Sequence, residues 1–234
     1  MNIWQLIKDV IFDGLQYLYG VTGDYGFAIV LLTVIMRAAM IPLTAKQTRS
    51  MYELQRIQPK IKELQKKYKN DKEKLQEETL KFYQENKVNP FGGCLPILLQ
   101  MPIFIALFQV LQDEFPAYLE SLGPAAETAA KQFWIILPDL TVNPQVVYGS
   151  DGLLAAIPYL TLVALFGLSV WLPQELMPGE AQQKTTAKIM GVMFLYFGWI
   201  TPAGVLVYWV TSSLLGILQQ QVTMKMYAAK EGSE

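Results

Sequence analysis

The chain has 234 residues, 52% of them hydrophobic, and a net charge of −1 that conceals a very uneven distribution of charge along the sequence. It contains no histidine and a single cysteine, Cys94. This excludes Ser-His-Asp catalysis, the HExxH zinc motif, histidine proton relays, an internal disulfide and a cysteine metal cluster. Several apolar runs are long enough to cross a bilayer, so the expected class is an all-α membrane protein with one polar insertion.

Residues 1–22 do not read as a cleavable signal peptide, because Lys8, Asp9 and Asp13 interrupt the apolar core that such a segment needs. Trp4, Ile7, Ile11, Leu15 and Leu18 recur at helical spacing. The pattern predicts an external amphipathic helix, either lying at the membrane interface or packed on the protein's own membrane helices.

The first span is expected over residues 23–43, and Arg37 stands inside it. At the centre of a membrane helix an Arg costs roughly 2.5 to 3.5 kcal/mol, so such a residue reads as functional by default. Snorkelling is the competing account, since Arg37 precedes Leu43 by about 9 Å of helix rise.

Residues 44–89 are charged, with twelve basic residues against seven acidic ones. Met51, Leu54, Ile57, Ile61, Leu64 and Tyr68, then Leu75, Thr79 and Phe82, describe two antiparallel helices with a narrow apolar seam. Pro59 is expected to mark a kink or a restarted helix. Such a hairpin is a solvated coiled coil, and its basic excess also suits a docking arm for cytoplasmic partners or anionic lipid. Ribosomal RNA would suit the charge as well, but no nucleic-acid motif is present.

Four more spans are expected, over residues 90–112, 152–172, 188–200 and 203–222. The fourth would reach only about 20 Å against a hydrocarbon core of about 30 Å. It is joined to the fifth by Thr201-Pro202-Ala203-Gly204, a break that suits a tight helical hairpin. Alternation places residues 44–89, 173–187 and 223–234 on one side of the membrane. Fifteen of the nineteen basic residues lie in those segments and Lys188, at the adjoining end of the fourth span, makes sixteen, so the positive-inside rule makes that side cytoplasmic. The N-terminus and residues 113–151 are then outside. Within that external loop, Phe133 to Leu137 form an apolar patch too short to span, and Trp134 suits a headgroup boundary.

The run Asn89-Pro90-Phe91-Gly92-Gly93-Cys94-Leu95-Pro96-Ile97-Leu98-Leu99-Gln100-Met101-Pro102-Ile103-Phe104-Ile105-Ala106-Leu107-Phe108 closely resembles the signature of the YidC-type membrane protein insertases. Arg37, the charged hairpin, Gln182-Gln183-Lys184 and Thr201-Pro202-Ala203-Gly204-Val205-Leu206-Val207-Tyr208-Trp209 fall in the family's order. The resemblance implies five transmembrane helices around a hydrophilic groove, closed on the outside, in the bacterial inner membrane. It implies that Arg37 is the groove arginine, that a nascent membrane protein's hydrophilic tail enters the groove transiently, and that the apolar segment passes into the lipid bilayer. The Sec translocon, the ribosome and the signal recognition particle machinery are the further partners it implies, through the hairpin and residues 173–187. It also implies a short form, without the large periplasmic domain of many members.

Gln100, Gln109, Ser169, Thr211, Ser212 and Ser213 are candidates to line such a groove. Taken singly, each is better explained by ordinary interhelical hydrogen bonding, worth about 0.6 kcal/mol in membranes. Trp209 falls where the family has an aromatic implicated in substrate contact, with a core or interfacial role as the alternative. Ser169 stands where many members have Gln, and Ser213 where many have Asn. Cys94 reads as a small packing residue.

The alternative function, a small-solute channel or transporter, calls for paired charges or internal repeats with matching broken helices, and the sequence has neither. An intramembrane hydrolase needs a nucleophile with an activating base, and no Lys or Asp falls within a predicted span except at its ends. No enzymatic activity, cofactor or metal is expected.

Overall fold

The computed structural model describes residues 2–86, 88, 95–176 and 181–231. Among them the secondary structure is helical, with one isolated antiparallel bridge, Phe133 to Leu137. Cys94 lies outside the described residues, and of Gln182-Gln183-Lys184 only the helical backbone is described.

Helix α1 (Ile3–Thr22) opens on Asn2, whose side chain accepts from the Trp4 amide, and closes on Gly23 in the left-handed region (φ 69°). Asp24 then accepts from the Phe27 amide and starts α2. Helix α2 (Tyr25–Lys67) does not stop at the end of the first apolar run: it continues through Pro42 and Pro59 for 43 residues. A proline removes one ladder donor and crowds the carbonyl four residues back, and here neither proline ends the helix. Helix α3 (Lys72–Glu85) is capped by Asp71, which accepts from the Lys74 amide.

Helix α4 (Leu95–Gln109) passes directly into a π turn, Val110–Glu114, and then into α5 (Phe115–Ser121). Pro116 has no N–H to close onto Gln112, and the ladder widens just before it so that the Phe115 amide reaches Val110. Helix α6 (Pro124–Lys131) follows. Helix α7 (Pro144–Leu176) breaks at Gly152 (φ 81°), so it is two helices meeting at the residue where the third apolar run begins. Helices α8 (Ala181–Ile200) and α9 (Ala203–Glu231) complete the chain. The backbone of α8 is helical from Ala181, well ahead of the apolar stretch Lys188–Ile200.

Three of these helices are long and apolar enough to cross a membrane, over Tyr25–Lys67, Pro144–Leu172 and Ala203–Tyr227, and Lys188–Ile200 is a shorter apolar helix.

The chain forms two compact units. The first comprises Met1–Ala39 and Met101–Ile217 and holds the main core, where Tyr25, Leu107, Phe115, Leu119, Tyr159 and Tyr208 are almost fully buried. Helices α7 and α8 approach closely because glycine faces bulk. A Cβ on Gly167 would lie 2.5 Å from the Leu195 side chain, and one on Gly198 would lie 2.9 Å from the Phe166 ring. At the α8–α9 break, the amides of Ala203 and Gly204 donate to the carbonyls of Val142 (2.9 Å) and Leu140 (2.8 Å), so residues 140–142 cap α9.

The helix α1 packs on the protein with the face that the sequence singled out. Ile11 and Leu15 are buried, and Trp4, Ile7 and Leu18 pack against the same core. A second apolar stripe, Ile3, Leu6, Val10, Tyr17 and Val21, stays exposed. The stripe read from the spacing is thus the one that packs on the protein's own helices.

The second unit comprises Met40–Gln100 and Leu218–Glu234. Within it the later part of α2 pairs with the end of α9 through a Gln219 to Thr44 hydrogen bond, a Gln220 to Met51 sulfur contact of 3.9 Å, and the Tyr52 and Tyr227 rings at 6.3 Å.

Candidate functional site

The site is built where α2 and α9 run side by side in the first unit. Arg37, half-buried on α2, donates through Nε to the Ser212 Oγ of α9 at 2.8 Å. Ser212 is itself only 4% exposed. One turn further along the same face is Gly216, where a Cβ would come within 3.2 Å of both terminal guanidinium nitrogens. One turn in the other direction is the buried Tyr208, which interacts electrostatically with the guanidinium. Positions 208, 212 and 216 follow the four-residue row of a helix, so a single stripe of α9 carries a phenol, a hydroxyl and an empty space facing one cation.

The arrangement leaves the working end of the arginine uncommitted. Nε carries the only hydrogen bond that Arg37 makes among the described residues, and no carboxylate among them pairs with it. A guanidinium presents Nη1 and Nη2 as a flat fork that matches both oxygens of a carboxylate. Fixing Nε on a serine orients that fork, and the missing side chain of Gly216 leaves it room.

The other predicted residues fall elsewhere. Ser213 and Thr211, the neighbours of Ser212, are half-buried, but neither is a partner of Arg37. Ser169 donates to the Phe166 carbonyl of its own helix at 2.8 Å. Gln109 accepts from the Trp4 indole at 3.0 Å and so fastens α1 to the end of α4. Lys8 strengthens the same junction with a 2.6 Å ion pair to Glu114 in the π turn. Gln100 is half-buried and belongs to the second unit.

Trp209 stands in a cluster of rings. Phe104 at 4.9 Å and Phe166 at 5.3 Å meet it nearly edge-on, and Phe194 lies at 5.8 Å. Its indole N–H is buried and has no partner among the described residues, although buried donors are nearly always satisfied. The packing accounts for the ring and leaves the donor unused.

Sequence reasoning missed Tyr208 and Gly216. Both stand four residues from Ser212, and that spacing was the available signal once Ser212 was taken as a partner of Arg37.

Comparison with known proteins bears on the whole chain. The model of the family described as 60Kd inner membrane protein matches residues 17–231. A membrane protein insertase YidC of Pseudoalteromonas atlantica is 36% identical over 232 residues, which covers 98% of this chain and 38% of the relative. One of Syntrophobacter fumaroxidans is 37% identical over 209 residues, covering 88% and 35%. The crystal structure of an active YidC insertase with its first transmembrane domain resolved superposes with a TM-score of 0.68 at 28% identity, over 94% of this chain and 45% of that one. The chain spans little more than a third of the length of these curated relatives. A family match that takes in all of α2 to α9, joined to a shared fold, makes this chain a member of the YidC-type, 60Kd inner membrane protein family.

Proposed function

We propose that this chain is a membrane protein insertase and chaperone in which Arg37 transiently receives the hydrophilic tail of a substrate while the substrate's apolar segment moves into lipid. The observation that carries the reading is the guanidinium held through Nε on Ser212 with its fork free of any carboxylate among the described residues. In a partly desolvated setting such a fork attracts an incoming Asp or Glu far more strongly than in water. It releases the carboxylate without covalent chemistry.

The rest of the proposed mechanism is what the family resemblance supports. Five helices enclose a groove that is open to the cytoplasm and to lipid and closed outside. Water in that groove shortens the low-dielectric path of the tail. The membrane potential then favours outward movement of each acidic charge by about 2.3 kcal/mol per 100 mV. The excess of Lys and Arg at residues 44–89 puts the hairpin and the C-terminal tail in the cytoplasm of a bacterial inner membrane. There the hairpin is the docking arm for ribosome, signal recognition particle or Sec components. Trp209 and Ser213, which share the first unit with Arg37, are proposed as further groove positions along the path of the substrate.

Photocrosslinking to a ribosome-stalled membrane protein tests the path. A photoreactive residue at position 213 is expected to capture the hydrophilic tail, whereas one at position 154, where Leu154 is 83% exposed, captures lipid or nothing. Equal capture from positions 154 and 213 contradicts a defined groove.

A further inference from the structure

We propose that the turn at residues 133–137 seats the protein in the bilayer: Trp134, Ile135 and Ile136 enter lipid at the boundary beside the start of α2, and this contact sets the depth of Arg37. The second half rests on the reading of Arg37 given above.

The tip of the turn is apolar and projects. Trp134 is 61% exposed, Ile135 83% and Ile136 47%, whereas Leu137 at its root is buried at 1%. The turn is also held rigidly. The Phe133 amide donates to the Leu137 carbonyl at 2.8 Å, and the amides of Ile136 and Leu137 both return to the Phe133 carbonyl. Trp134 adopts φ 45°, a left-handed conformation that a bulky residue adopts only when its surroundings enforce it. The enforcing contact comes from Asp24: its Oδ2 accepts from the Trp134 amide at 2.6 Å, while its Oδ1 caps α2 through the Phe27 amide.

The root fits a socket that only glycine can provide. A Cβ on Gly26 would lie 2.1 Å from the Phe133 ring. One carboxylate and one glycine at the start of α2 therefore fasten the turn directly to that helix.

Continuity identifies the occupant. Phe27 meets Phe133 edge-on at 5.3 Å and lies 6.4 Å from Trp134, so the exposed tip extends an apolar stripe of α2. That stripe runs on through Leu31, Val34 and Ile35, all exposed on a helix long and apolar enough to span. A surface continuous with a lipid-facing stripe is lipid-facing itself, and an interfacial Trp is the usual anchor at such a boundary. Asp24 and Arg37 are thirteen residues apart on this helix, about 20 Å of rise. With the turn held at one boundary, the guanidinium lies beyond the midplane of a core about 30 Å thick. Sliding of α2 along the membrane normal, which would let Arg37 snorkel into headgroups, is opposed by the turn.

The test uses the full chain in phosphatidylcholine and phosphatidylglycerol vesicles, with Cys94→Ser and a single environment-sensitive fluorophore. Attached at Ile135→Cys, it is expected to emit at shorter wavelength than at Glu120→Cys and to be quenched most by lipids brominated near the headgroup. Emission and quenching equal to those at position 120 overturn the proposal. So does shielding that disappears on dilution of protein in lipid, which would assign the tip to a second copy of the chain. For the depth claim, a fluorophore at Val34→Cys is expected to move measurably relative to the bilayer centre when Ile135→Asp is added, and an unchanged depth overturns it. Neither measurement uses a substrate, so each reads the anchor independently of the insertase function.

Discussion

Arg37 is the residue on which the account turns, and the structure gives its guanidinium three neighbours from one stripe of α9. Ser212 orients the fork, and Gly216 is the one that leaves it room. Gly216→Ala would place a methyl 3.2 Å from both terminal nitrogens, which forces the fork aside at a cost of about 1 kcal/mol, or about fivefold in insertion of substrates with acidic tails. The same change on an Arg37→Lys background is expected to have no effect, because a lysine has no fork to displace. Insertion kinetics of the four proteins check this. A charge in an apolar run is legible in a sequence because its cost is known. A hydroxyl is less so, since Ser212 meets Arg37 whereas Ser169 is satisfied within its own helix. A glycine is silent, because its role is the absence of atoms where another residue needs space. Gln109, a candidate for the groove or for interhelical bonding, accepts from Trp4 through its side-chain oxygen.

At the scale of elements, the apolar runs and the break at residues 201–204 were readable, but the course of the backbone at other prolines was less so. Pro59 reads as a kink or a restarted helix, and α2 continues through it and through Pro42. The π turn after α4 follows from Pro116, which lacks the donor for a regular turn. The face of α1 that packs on the core was visible in its spacing, whereas its partners Gln109 and Glu114, more than a hundred positions away, were not. Two changes test these contacts. Gly198→Val overfills the α7–α8 junction against Phe166 and is expected to lower stability by about 1 to 3 kcal/mol, measured as a lower unfolding midpoint in detergent. Phe166→Leu on that background restores part of the loss. Lys8→Met leaves Glu114 partly buried and unpaired, and costs about 1 kcal/mol at this exposure. Faster hydrogen exchange confined to α1 is the expected sign.

For the molecule as a whole, family membership and the distribution of lysine and arginine are two independent observations. The positive-inside rule reads loops, while the family match reads the helices between them. In the proposed orientation the groove opens to the cytoplasm near Arg37, and the free fork gives an incoming tail something to bind. Charge reversal in vesicles that contain only this protein is the most direct measurement. Wild type is expected to insert substrates with acidic N-terminal tails. Arg37→Glu, present in the membrane at the same level, is expected to insert them about tenfold less, the loss of one charge-assisted contact. Equal insertion of several acidic-tailed substrates by the two proteins would contradict the electrostatic role of Arg37.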